Sequence, residues 1–438
     1  MVHHTMNRRI SSAASASSSS KVMGETLKWV LALVASVCKS MPDTLCRARR
    51  ASPALLWALI LGFGLSACGI SPDRPVSVPD SSPATTPPVA QTWPVPVDDG
   101  PLPPAIERGK SRWVPVRWSE LPGWGQDSLH EVWNAWVRGC ERPVNGHTEL
   151  CREARRLSIA TAEEQHAWLH QRFRPYRVVD LNGVPPDGLL TGYYEPIMPA
   201  SRVRTDTHRV PLHQPPAGLQ RGQTWHSRQQ IDTQPDVQAA LRGREIAWLA
   251  DPIDALILQI QGSGRLRITE PDGRENVVRV AFAAHNGHPY VSVGRWLLDR
   301  RAIREASWEA IKAWAVQNPS RLNEMLWANP RTVFFREEPL GELDARFGPR
   351  GAQGVPLTPH RSIAVDPQSI PYGTPVWLAT QGPTLNIQRL VMAQDTGGAI
   401  LGAVRADLFT GWGGWTDEAY TVAAALKQPL QMWVLWPR

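Results

Sequence analysis

The sequence contains few cysteines, and none of them belongs to a pattern that binds a metal ion. Five of the 438 residues are cysteine, and no set of cysteine and histidine residues has the spacing of a zinc site. His285 and His288 lie three residues apart, but no nearby residue completes a set of ligands. The sequence therefore predicts a protein without a metal site.

The sequence also has little net charge outside its N-terminal region. The chain has 47 Lys and Arg residues against 40 Asp and Glu residues, a formal net charge of +7. Residues 1–68 hold eight basic and two acidic residues, so the remainder holds 39 and 38 and is almost neutral. No run of Lys and Arg alternates with aromatic residues on one predicted element, the pattern typical of nucleic-acid binding. We therefore predict no nucleic-acid partner.

The N-terminal apolar run is too short to cross a bilayer comfortably. It covers residues 54–65, whereas a membrane-spanning helix needs about 20 apolar residues. Arginines at positions 47, 49 and 50 precede it, and Leu-Ser-Ala-Cys ends it at Cys68. This arrangement resembles the lipobox of bacterial lipoproteins, which implies cleavage before Cys68 and attachment of lipid to its thiol. An ordinary signal peptide or a short membrane anchor is the alternative.

The segments on either side of Cys68 predict an exported, tethered protein. Residues 1–68 form the predicted lipoprotein signal region, and a signal that began at Met41 would have an ordinary length. Gly69, and not aspartate, follows Cys68, which by analogy with lipoproteins favours the outer membrane, with the protein facing the periplasm. Residues 69–111 are rich in proline and have little to bury, so we expect an extended tether.

Two further cysteines, Cys140 and Cys151, lie beyond the tether. An exported protein folds in an oxidising compartment, and the ten residues between them can close a loop, so a disulfide is expected. Two free buried thiols are the alternative.

The apolar patterns after residue 112 predict a mainly β fold with peripheral helices. Polar residues that can cap helices stand at Asp127 or Ser128, at Thr161 with Glu164, at Ser307 and at Ser320. The predicted strands cover residues 189–194, 255–261, 277–282, 362–365, 375–378, 390–393 and 431–436. Short strands with Gly and Pro turns, and without regular alternation with helices, favour a β-barrel over a parallel α/β sheet.

Asp395 is the best candidate for a catalytic residue. It follows the apolar run at residues 390–393, and Gly397 and Gly398 come soon after it. Burial at the end of a strand raises the pKa of a carboxyl group, and the glycines allow a substrate to approach the backbone closely. A carboxyl group of this kind can transfer protons. An aspartate that caps a turn is the structural alternative.

Two other aspartates, Asp366 and Asp407, are predicted to be structural or supporting. Glycosidases that work with two carboxyl groups need the pair on either side of the scissile bond, but the sequence does not place either residue beside Asp395. Asp366 precedes a proline, as turn residues often do, and Asp407 has Arg405 as a candidate partner.

Two segments combine features that suit a carbohydrate ligand. Aromatic faces stack on sugars and hydroxyls orient them, whereas amides on a glycine loop can bind sugar hydroxyls. The second segment lacks the Gly-Lys-Ser/Thr ending of a phosphate loop, which argues against a nucleotide. A well-packed strand end is the alternative for the first segment. The candidates are Thr191, Gly192, Tyr193 and Tyr194, and Gln259, Gln261, Gly262, Ser263 and Gly264.

Several short motifs together resemble one known family. In chain order they cover residues 191–194, 259–264, 286–290, 329–335, 364–367 with 370–373, and 393–400. In this order they resemble the membrane-bound lytic murein transglycosylase A family from about residue 112 to the C-terminus. Each motif is weak alone, but the series is specific.

The resemblance implies a fold and an active site. The family has a double-psi β-barrel domain, here residues 112–195 and 305–438, interrupted by a smaller β-barrel-like domain, here 196–304. Residues 354–438 resemble the 3D domain, which is named for three aspartates that correspond here to Asp366, Asp395 and Asp407. The aspartate of the family's D-x-G-G-A-I motif is the catalytic acid and base, and Asp395 occupies that position.

The resemblance also implies an activity. An exo-acting lyase of this family cleaves the β-1,4 bond between N-acetylmuramic acid and N-acetylglucosamine of peptidoglycan strands without water and leaves a 1,6-anhydromuramoyl end, with no cofactor. A non-catalytic wall-binding protein of the expansin type is one alternative. An aspartic protease is another, because Asp395-Thr-Gly matches its motif, but such enzymes need two of these loops and the chain has one.

Overall fold

The computed structural model describes residues 93–95, 97–220, 222–382 and 385–438. The predicted lipidation site Cys68, the predicted start Met41 and most of the predicted tether lie outside these residues. No helix in the described part of the chain is both long and apolar enough to span a membrane.

The described residues form a mainly β structure with helices around it. The strands are β1 Ile106–Glu107, β2 Arg112–Pro115, β3 Phe173–Val179, β4 Gly188–Ser201, β5 Val210–His213, β6 Glu245–Leu249, β7 Ser263–Thr269, β8 Glu275–His285, β9 Val333–Pro339, β10 Ser362–Val365, β11 Pro375–Gln381, β12 Asn386–Asp395, β13 Arg405–Gly413 and β14 Lys427–Pro437. The α-helices are α1 His130–Gly139, α2 Thr148–Arg156, α3 Ala162–Arg172, α4 Arg228–Thr233, α5 Pro235–Ala239, α6 Pro252–Gln261, α7 Val293–Asp299, α8 Trp308–Gln317, α9 Leu322–Trp327 and α10 Glu418–Ala425. The coarse prediction of a mainly β fold is confirmed.

Six strands are paired in a closed circuit that begins and ends at β14. Strand β14 pairs with β11 through residues 431–434 and with β4 through residues 427–430. Between them the order is β11, β12, β10, β13 and β4, and the β10–β12 and β13–β4 pairs are parallel. Alternate residues of these strands share one apolar core, which includes Leu190, Ile363, Val391 and Val434. The candidate catalytic strand β12 therefore lies inside a sheet that is paired on both sides.

Strand β4 continues from this circuit into a second group of strands. Its residues 197–201 pair in parallel with β7, which pairs with β8, and β8 pairs with β9. The core of this group extends from Met198 to Phe335 and includes residues of α8 and α9. The predicted domain bounds at 196 and 304 stay a prediction, but the packing places these two helices, which lie within 305–438, on the core of the second group.

Helices α1 to α3 cover one face of the circuit, and α1 and α3 together carry three tryptophans. Their core includes Trp133, Trp136 and Trp168, which pack on Trp377 and Trp433 of the strands. The structure contains a disulfide between Cys140 and Cys151, which joins the end of α1 to α2. The Thr161–Glu164 capping box is present at the start of α3, and Ser307 caps α8 as predicted.

Two predicted helix starts were wrong, and the packing explains the first of them. Asp127 does not cap α1; its carboxylate accepts hydrogen bonds from both terminal nitrogens of Arg361, at 2.7 and 2.8 Å, and from the backbone N–H of Leu390. Ser128 does not cap it either, because the N-cap position is occupied by Leu129 without a side-chain hydrogen bond. A charge-assisted, bidentate bond to a buried guanidinium is stronger than a cap. Helix α9 begins at Leu322 after a short 3-10 turn rather than at Ser320.

The segment predicted as a strand at residues 255–261 is helix α6. Asp251 caps it, Pro252 occupies the first helical position, and Gly262 ends it with a left-handed φ of 80°. Because the run Ala255–Leu258 is buried throughout, its apolar pattern shows no clear period. The aspartate, proline and glycine at its ends are the features that indicate a helix.

Candidate active site

The register of the sheet brings Asp395 and Asp407 to the two sides of one strand. Ala364 of β10 pairs with Asp395 of β12 and also with Asp407 of β13. Since neighbouring strands lie about 4.8 Å apart, the backbones of the two aspartates are roughly 10 Å apart. The small side chain of Ala364 lies between them. The topology therefore creates a site with two carboxyl groups that lie only twelve residues apart in sequence.

Asp395 is held by hydrogen bonds to both carboxylate oxygens. The hydroxyl of Tyr193 donates to Oδ2 at 2.8 Å, and the backbone N–H of Ala352 donates to Oδ1 at 2.8 Å. Burial raises the pKa of Asp395 above its usual range, although the hydrogen bonds from Tyr193, from the backbone of Thr396 and from Ala352 oppose this increase. The result is a fixed carboxyl group that keeps its proton at a higher pH than an exposed aspartate does.

Asp407 has its own hydrogen-bond chain. The hydroxyl of Thr191 donates to Asp407 Oδ1 at 2.5 Å, and Arg405 Nη2 donates to the same hydroxyl oxygen at 2.8 Å. Burial raises the pKa of Asp407 to about 6, and the nearby charge of Asp395 adds to this increase, whereas Thr191 and Arg405 oppose it. Arg405, the partner that the sequence suggested, therefore contacts Asp407 through Thr191.

Asp366 lies in a turn just after the end of β10. Its Oδ1 accepts a hydrogen bond from the N–H of Gln368, its Oδ2 accepts one from Gly402, and Lys110 lies 3.6 Å away. The side chain is 2% exposed. Within the described residues, the carboxylate has no hydrogen bond in common with Asp395 or Asp407. This placement fits the predicted supporting role, which stays a prediction.

The segment Thr191–Tyr194 contributes to the site from alternate positions. Thr191 and Tyr193 bind the two aspartates, as described above. Gly192 and Tyr194 contact helix α10 instead, because successive side chains of a strand point to opposite faces. A Cβ on Gly192 would lie 2.8 Å from the Cα of Ala423 in α10, and Tyr194 packs on Tyr420 of the same helix. Close packing on α10 therefore explains why residue 192 is a glycine.

The second predicted binding segment makes contacts within the protein. Gln259 Oε1 accepts a hydrogen bond from Arg228 at 2.6 Å, and Gln261 Oε1 accepts one from the backbone of Tyr194 at 3.2 Å. Gly262 ends α6, and a Cβ on Gly264 would lie 2.1 Å from Leu258 Cδ2. Ser263 is buried at the start of β7. The role of these residues in glycan binding stays a prediction, and their observed contacts fix α6 against the strands.

Ala352, which binds Asp395 through its backbone N–H, was not predicted from the sequence. Ala352 lies in a tight hairpin at residues 348–357 that is pressed against the end of β12. A Cβ on Gly351 would lie only 2.5 Å from the carbonyl oxygen of Gln394. The glycines at 348, 351 and 354 are the signal that could have identified this close approach.

A buried ion cluster anchors the chain that leads into this hairpin. Glu195 is fully buried, and it accepts hydrogen bonds from Arg265 Nε at 2.8 Å and from Arg279 Nε at 2.6 Å. Both arginines also donate to the carbonyl oxygen of Phe347, at 2.9 and 2.7 Å. Arg265 lies over the ring of Trp412 at 4.1 Å. The cluster therefore joins β4, β7 and β8 to the segment that carries Ala352.

We find no metal site among the described residues. In the part of the chain that the structure describes, no group of three or more His, Cys, Asp or Glu side chains is arranged to hold a metal ion.

Comparison with known proteins identifies the family. Residues 189–336 match the family model of the MltA specific insert domain, and residues 361–436 match that of the 3D domain. The chain is 30% identical over 240 residues to the membrane-bound lytic murein transglycosylase A of Vibrio cholerae, a match that covers 51% of this chain and 60% of that protein.

Two solved structures are similar over most of the chain. The lytic transglycosylase LtgG of Burkholderia pseudomallei is 42% identical, with 80% of this chain and 100% of that chain covered and a TM-score of 0.51. MltA from Neisseria gonorrhoeae is 30% identical, with 77% and 96% covered and a TM-score of 0.61. With both family domains present in order, and with two solved structures of at least 30% identity covered over nearly their whole length, the chain belongs to the family of membrane-bound lytic murein transglycosylase A.

Proposed function

We propose that the protein is a lytic transglycosylase that cleaves the β-1,4 bond between N-acetylmuramic acid and N-acetylglucosamine in peptidoglycan and leaves a 1,6-anhydromuramoyl end. One observation carries the proposal: Asp395, with a raised pKa, is fixed by Tyr193 and Ala352 at the end of a paired strand. The relatives named above are lytic transglycosylases, which supports the same reaction here. The substrate is a glycan strand, on which we expect the enzyme to act from a chain end.

One carboxyl group is sufficient for both steps of this reaction. Protonated Asp395 donates its proton to the glycosidic oxygen as the bond from that oxygen to C1 of the muramoyl sugar breaks. The resulting carboxylate then removes the proton from the C6 hydroxyl of the same sugar while O6 forms a bond to C1. Asp395 ends the cycle protonated, and no water is consumed. General acid and base assistance of this kind contributes about 100- to 10,000-fold to the rate.

The neighbours of Asp395 assist each step. Tyr193 and Ala352 donate hydrogen bonds that stabilise the carboxylate formed after the first proton transfer. Asp407, when ionised, supplies negative charge close to the positive charge that develops on C1 and the ring oxygen. Thr191 and Arg405 hold Asp407 in place for this task. Asp366 supports the turn that follows β10, and Thr191, Tyr193 and the segment at 259–264 form part of the wall of the glycan groove.

The finer description of the fold belongs to the same proposal. We propose that the circuit of β4, β10, β11, β12, β13 and β14 is a double-psi β-barrel, formed by residues 112–195 and 305–438. Residues 196–304 form the smaller inserted domain. The two parallel pairs, β10–β12 and β13–β4, support this topology.

We also propose that a lipid on Cys68 anchors the protein in the outer membrane, with the enzyme facing the periplasm. The Leu-Ser-Ala-Cys sequence and Gly69 support this location, and the Vibrio cholerae relative is named a membrane-bound enzyme.

Digestion of purified sacculi, followed by mass spectrometry of the soluble products, tests the reaction. We expect 1,6-anhydromuropeptides as the main products. Binding to sacculi without any release of such products would favour the non-catalytic, expansin-like alternative and would contradict the proposal.

Replacement of Tyr193 by phenylalanine is expected to slow cleavage about 10- to 100-fold, because a hydrogen bond to a charged group contributes about 1.5–3 kcal/mol. That hydrogen bond lowers the pKa of Asp395, so its loss raises this pKa. The decline in rate as Asp395 loses its proton should then occur at higher pH than in the wild type. The measurement is the pH profile of anhydromuropeptide release.

Tyr194→Phe is the matched control, because Tyr194 is the next residue of β4 and packs on α10. The proposed role of Tyr193 is wrong if both variants keep the wild-type rate and profile.

Replacement of Asp407 by asparagine is expected to abolish the fall in cleavage rate on the acid side of the pH profile. Because the pKa of Asp407 is raised to about 6, the wild-type rate should fall as the pH drops below about 6 and this group takes up a proton. The variant should lack this fall and should show a lower rate at pH 7. The measurement is the rate of anhydromuropeptide release between pH 4 and pH 8.

The stability of the Asp407→Asn variant separates this effect from misfolding. A carboxyl group whose folded pKa lies above its unfolded value destabilises the folded state once the pH exceeds the unfolded pKa. The variant should therefore be at least as stable as the wild type at pH 7. An unchanged rate and an unchanged acid side would contradict the role given to Asp407.

A further inference from the structure

Arg331 reaches from the second group of strands to the turn that follows Asp395. It lies two residues before the start of β9, and its side chain rests against Gly398. A Cβ on Gly398 would lie only 2.9 Å from Arg331 Nη1. The absence of a side chain at Gly398, three residues after the candidate catalytic aspartate, therefore leaves the space that the guanidinium occupies.

Three polar side chains from separate elements fix the backbone around Arg331. Asn286, which is fully buried, donates to the carbonyl oxygen of Pro330 at 2.9 Å and accepts from the N–H of Thr332 at 3.0 Å. Arg228 donates to the carbonyl oxygens of Asn329 and Arg331. Gln259 Oε1 accepts a hydrogen bond from the backbone N–H of Val333 at 3.4 Å. The segment at residues 329–333 is thus held rigidly, and it presents Arg331 from a fixed backbone.

We find no partner for the guanidinium of Arg331 in the described part of the chain. Among the residues that the structure describes, no hydrogen bond or ion pair of the kinds found elsewhere in the protein involves its side chain. It is half-buried, and burial lowers its pKa. The titratable group that its charge affects is His285, whose pKa is lowered first by burial and then by Arg331.

Partial burial of a cation is unfavourable in free energy when its N–H donors have no hydrogen-bond acceptor. A guanidinium carries five N–H donors in a planar fork that matches a carboxylate. Loss of water from such a group is unfavourable unless another acceptor replaces the water. Arg331 lies beside the turn that follows Asp395, where a ligand of the proposed site could supply such an acceptor.

We propose that Arg331 binds a carboxylate carried by the glycan substrate next to the bond that is cleaved. This inference rests on the proposed function. The carboxylate comes from one of two sources: the lactyl group of a muramic acid without peptide, or the peptide stem attached to that group. Both present a planar anion beside the sugar ring, and Arg331 selects strands that carry one over neutral β-1,4-linked glycans.

Equilibrium binding tests this selectivity without turnover. Arg331→Gln is made in the full chain that also carries Asp395→Asn, and binding is compared with the Asp395→Asn protein. The three ligands are a neutral chitooligosaccharide, a peptide-free murein glycan with free lactyl carboxylates, and a murein fragment with its peptides. Arg204→Gln, at an exposed arginine of the second group, is the matched control.

We expect Arg331→Gln to weaken binding of a carboxylate-bearing ligand about 10- to 100-fold and to leave binding of the neutral ligand unchanged. Weaker binding of the peptide-free glycan assigns the lactyl group as the source. Weaker binding of the peptide-bearing fragment alone assigns the stem. The control variant should bind all three ligands as the parent does.

Equal weakening for the neutral and the anionic ligands, or no weakening for any of them, would overturn the proposal. A failure of the proposed function is distinguishable from this result. Wild-type protein that released no anhydro product would refute the reaction, whereas the selectivity of Arg331 for anionic glycans would still be measured by binding.

Discussion

Asp395→Asn is expected to reduce the release of 1,6-anhydromuropeptides about 100- to 10,000-fold while the protein stays folded and still binds sacculi. Asparagine has nearly the shape of aspartate: its amide oxygen can accept the hydrogen bond from the N–H of Ala352, and its NH2 group can donate to the hydroxyl oxygen of Tyr193, so the local structure should survive. It cannot give a proton to the glycosidic oxygen or take one from the C6 hydroxyl. Both steps of the proposed reaction are therefore lost together.

The measurements for this variant are product yield, sedimentation with sacculi and thermal unfolding. Asp187→Asn is the matched control, because Asp187 is exposed in the loop before β4. The control should retain wild-type yield. A yield of Asp395→Asn near that of the wild type would remove this carboxyl group from the mechanism.

Glu195→Ala is expected to lower the free energy of unfolding by about 3–5 kcal/mol. The fully buried carboxylate is the partner of two buried arginines, Arg265 and Arg279. Its removal leaves two cations without a compensating charge, and the cost of that arrangement is larger than the energy of the lost hydrogen bonds alone. Chemical denaturation, followed by two independent spectroscopic probes, measures the change.

Glu337→Ala is the matched control for Glu195. Glu337 pairs with Arg202 at the surface, with 32% of its side chain exposed, so the loss should be about 0–1 kcal/mol. Equal effects of the two substitutions would contradict the structural role of the buried cluster.

The cluster around Glu195 also connects stability with the active site. Arg265 and Arg279 hold the carbonyl oxygen of Phe347, and the hairpin that follows provides the N–H of Ala352. A loosened cluster should therefore release one of the hydrogen bonds that fix Asp395. We therefore expect this buried charge cluster to influence the position of Asp395, the proposed catalytic residue.

Local sequence patterns were sufficient to select Asp395 as a candidate residue and to predict the strand that leads to it. An apolar run followed by an aspartate and two glycines is a feature of a few adjacent residues, and the structure places them at the end of β12. The apolar patterns indicated a mainly β fold, and the resemblance to a family pointed to Asp366, Asp395 and Asp407, but neither indicated that Asp395 and Asp407 lie on either side of β10.

Contacts between distant segments could not be predicted from the sequence. Asp127 looked like a helix cap because nothing nearby reveals that Arg361, 234 residues later, binds it. Ala352 acts through a backbone N–H that no side chain identifies. Gly192 was predicted to line a glycan groove, whereas its observed contact is the close approach of α10.

The segment at residues 255–261 shows a different limit of predicting secondary structure from the hydrophobic pattern. Its first four residues, Ala255–Leu258, are all buried and show no polar face, and a short apolar run of this kind cannot distinguish a helix from a strand. The residues that indicate a helix are the N-cap Asp251 and the left-handed Gly262, and both lie outside the apolar run.

Mass analysis of products formed in isotopically labelled water tests the proposed reaction most directly. If O6 of the muramoyl sugar attacks C1, the new terminus is a 1,6-anhydro ring and carries no oxygen from the solvent. A reducing muramic acid terminus that contains labelled oxygen would show that water was the nucleophile, and the account of Asp395 as the single proton carrier of an intramolecular ring closure would be wrong.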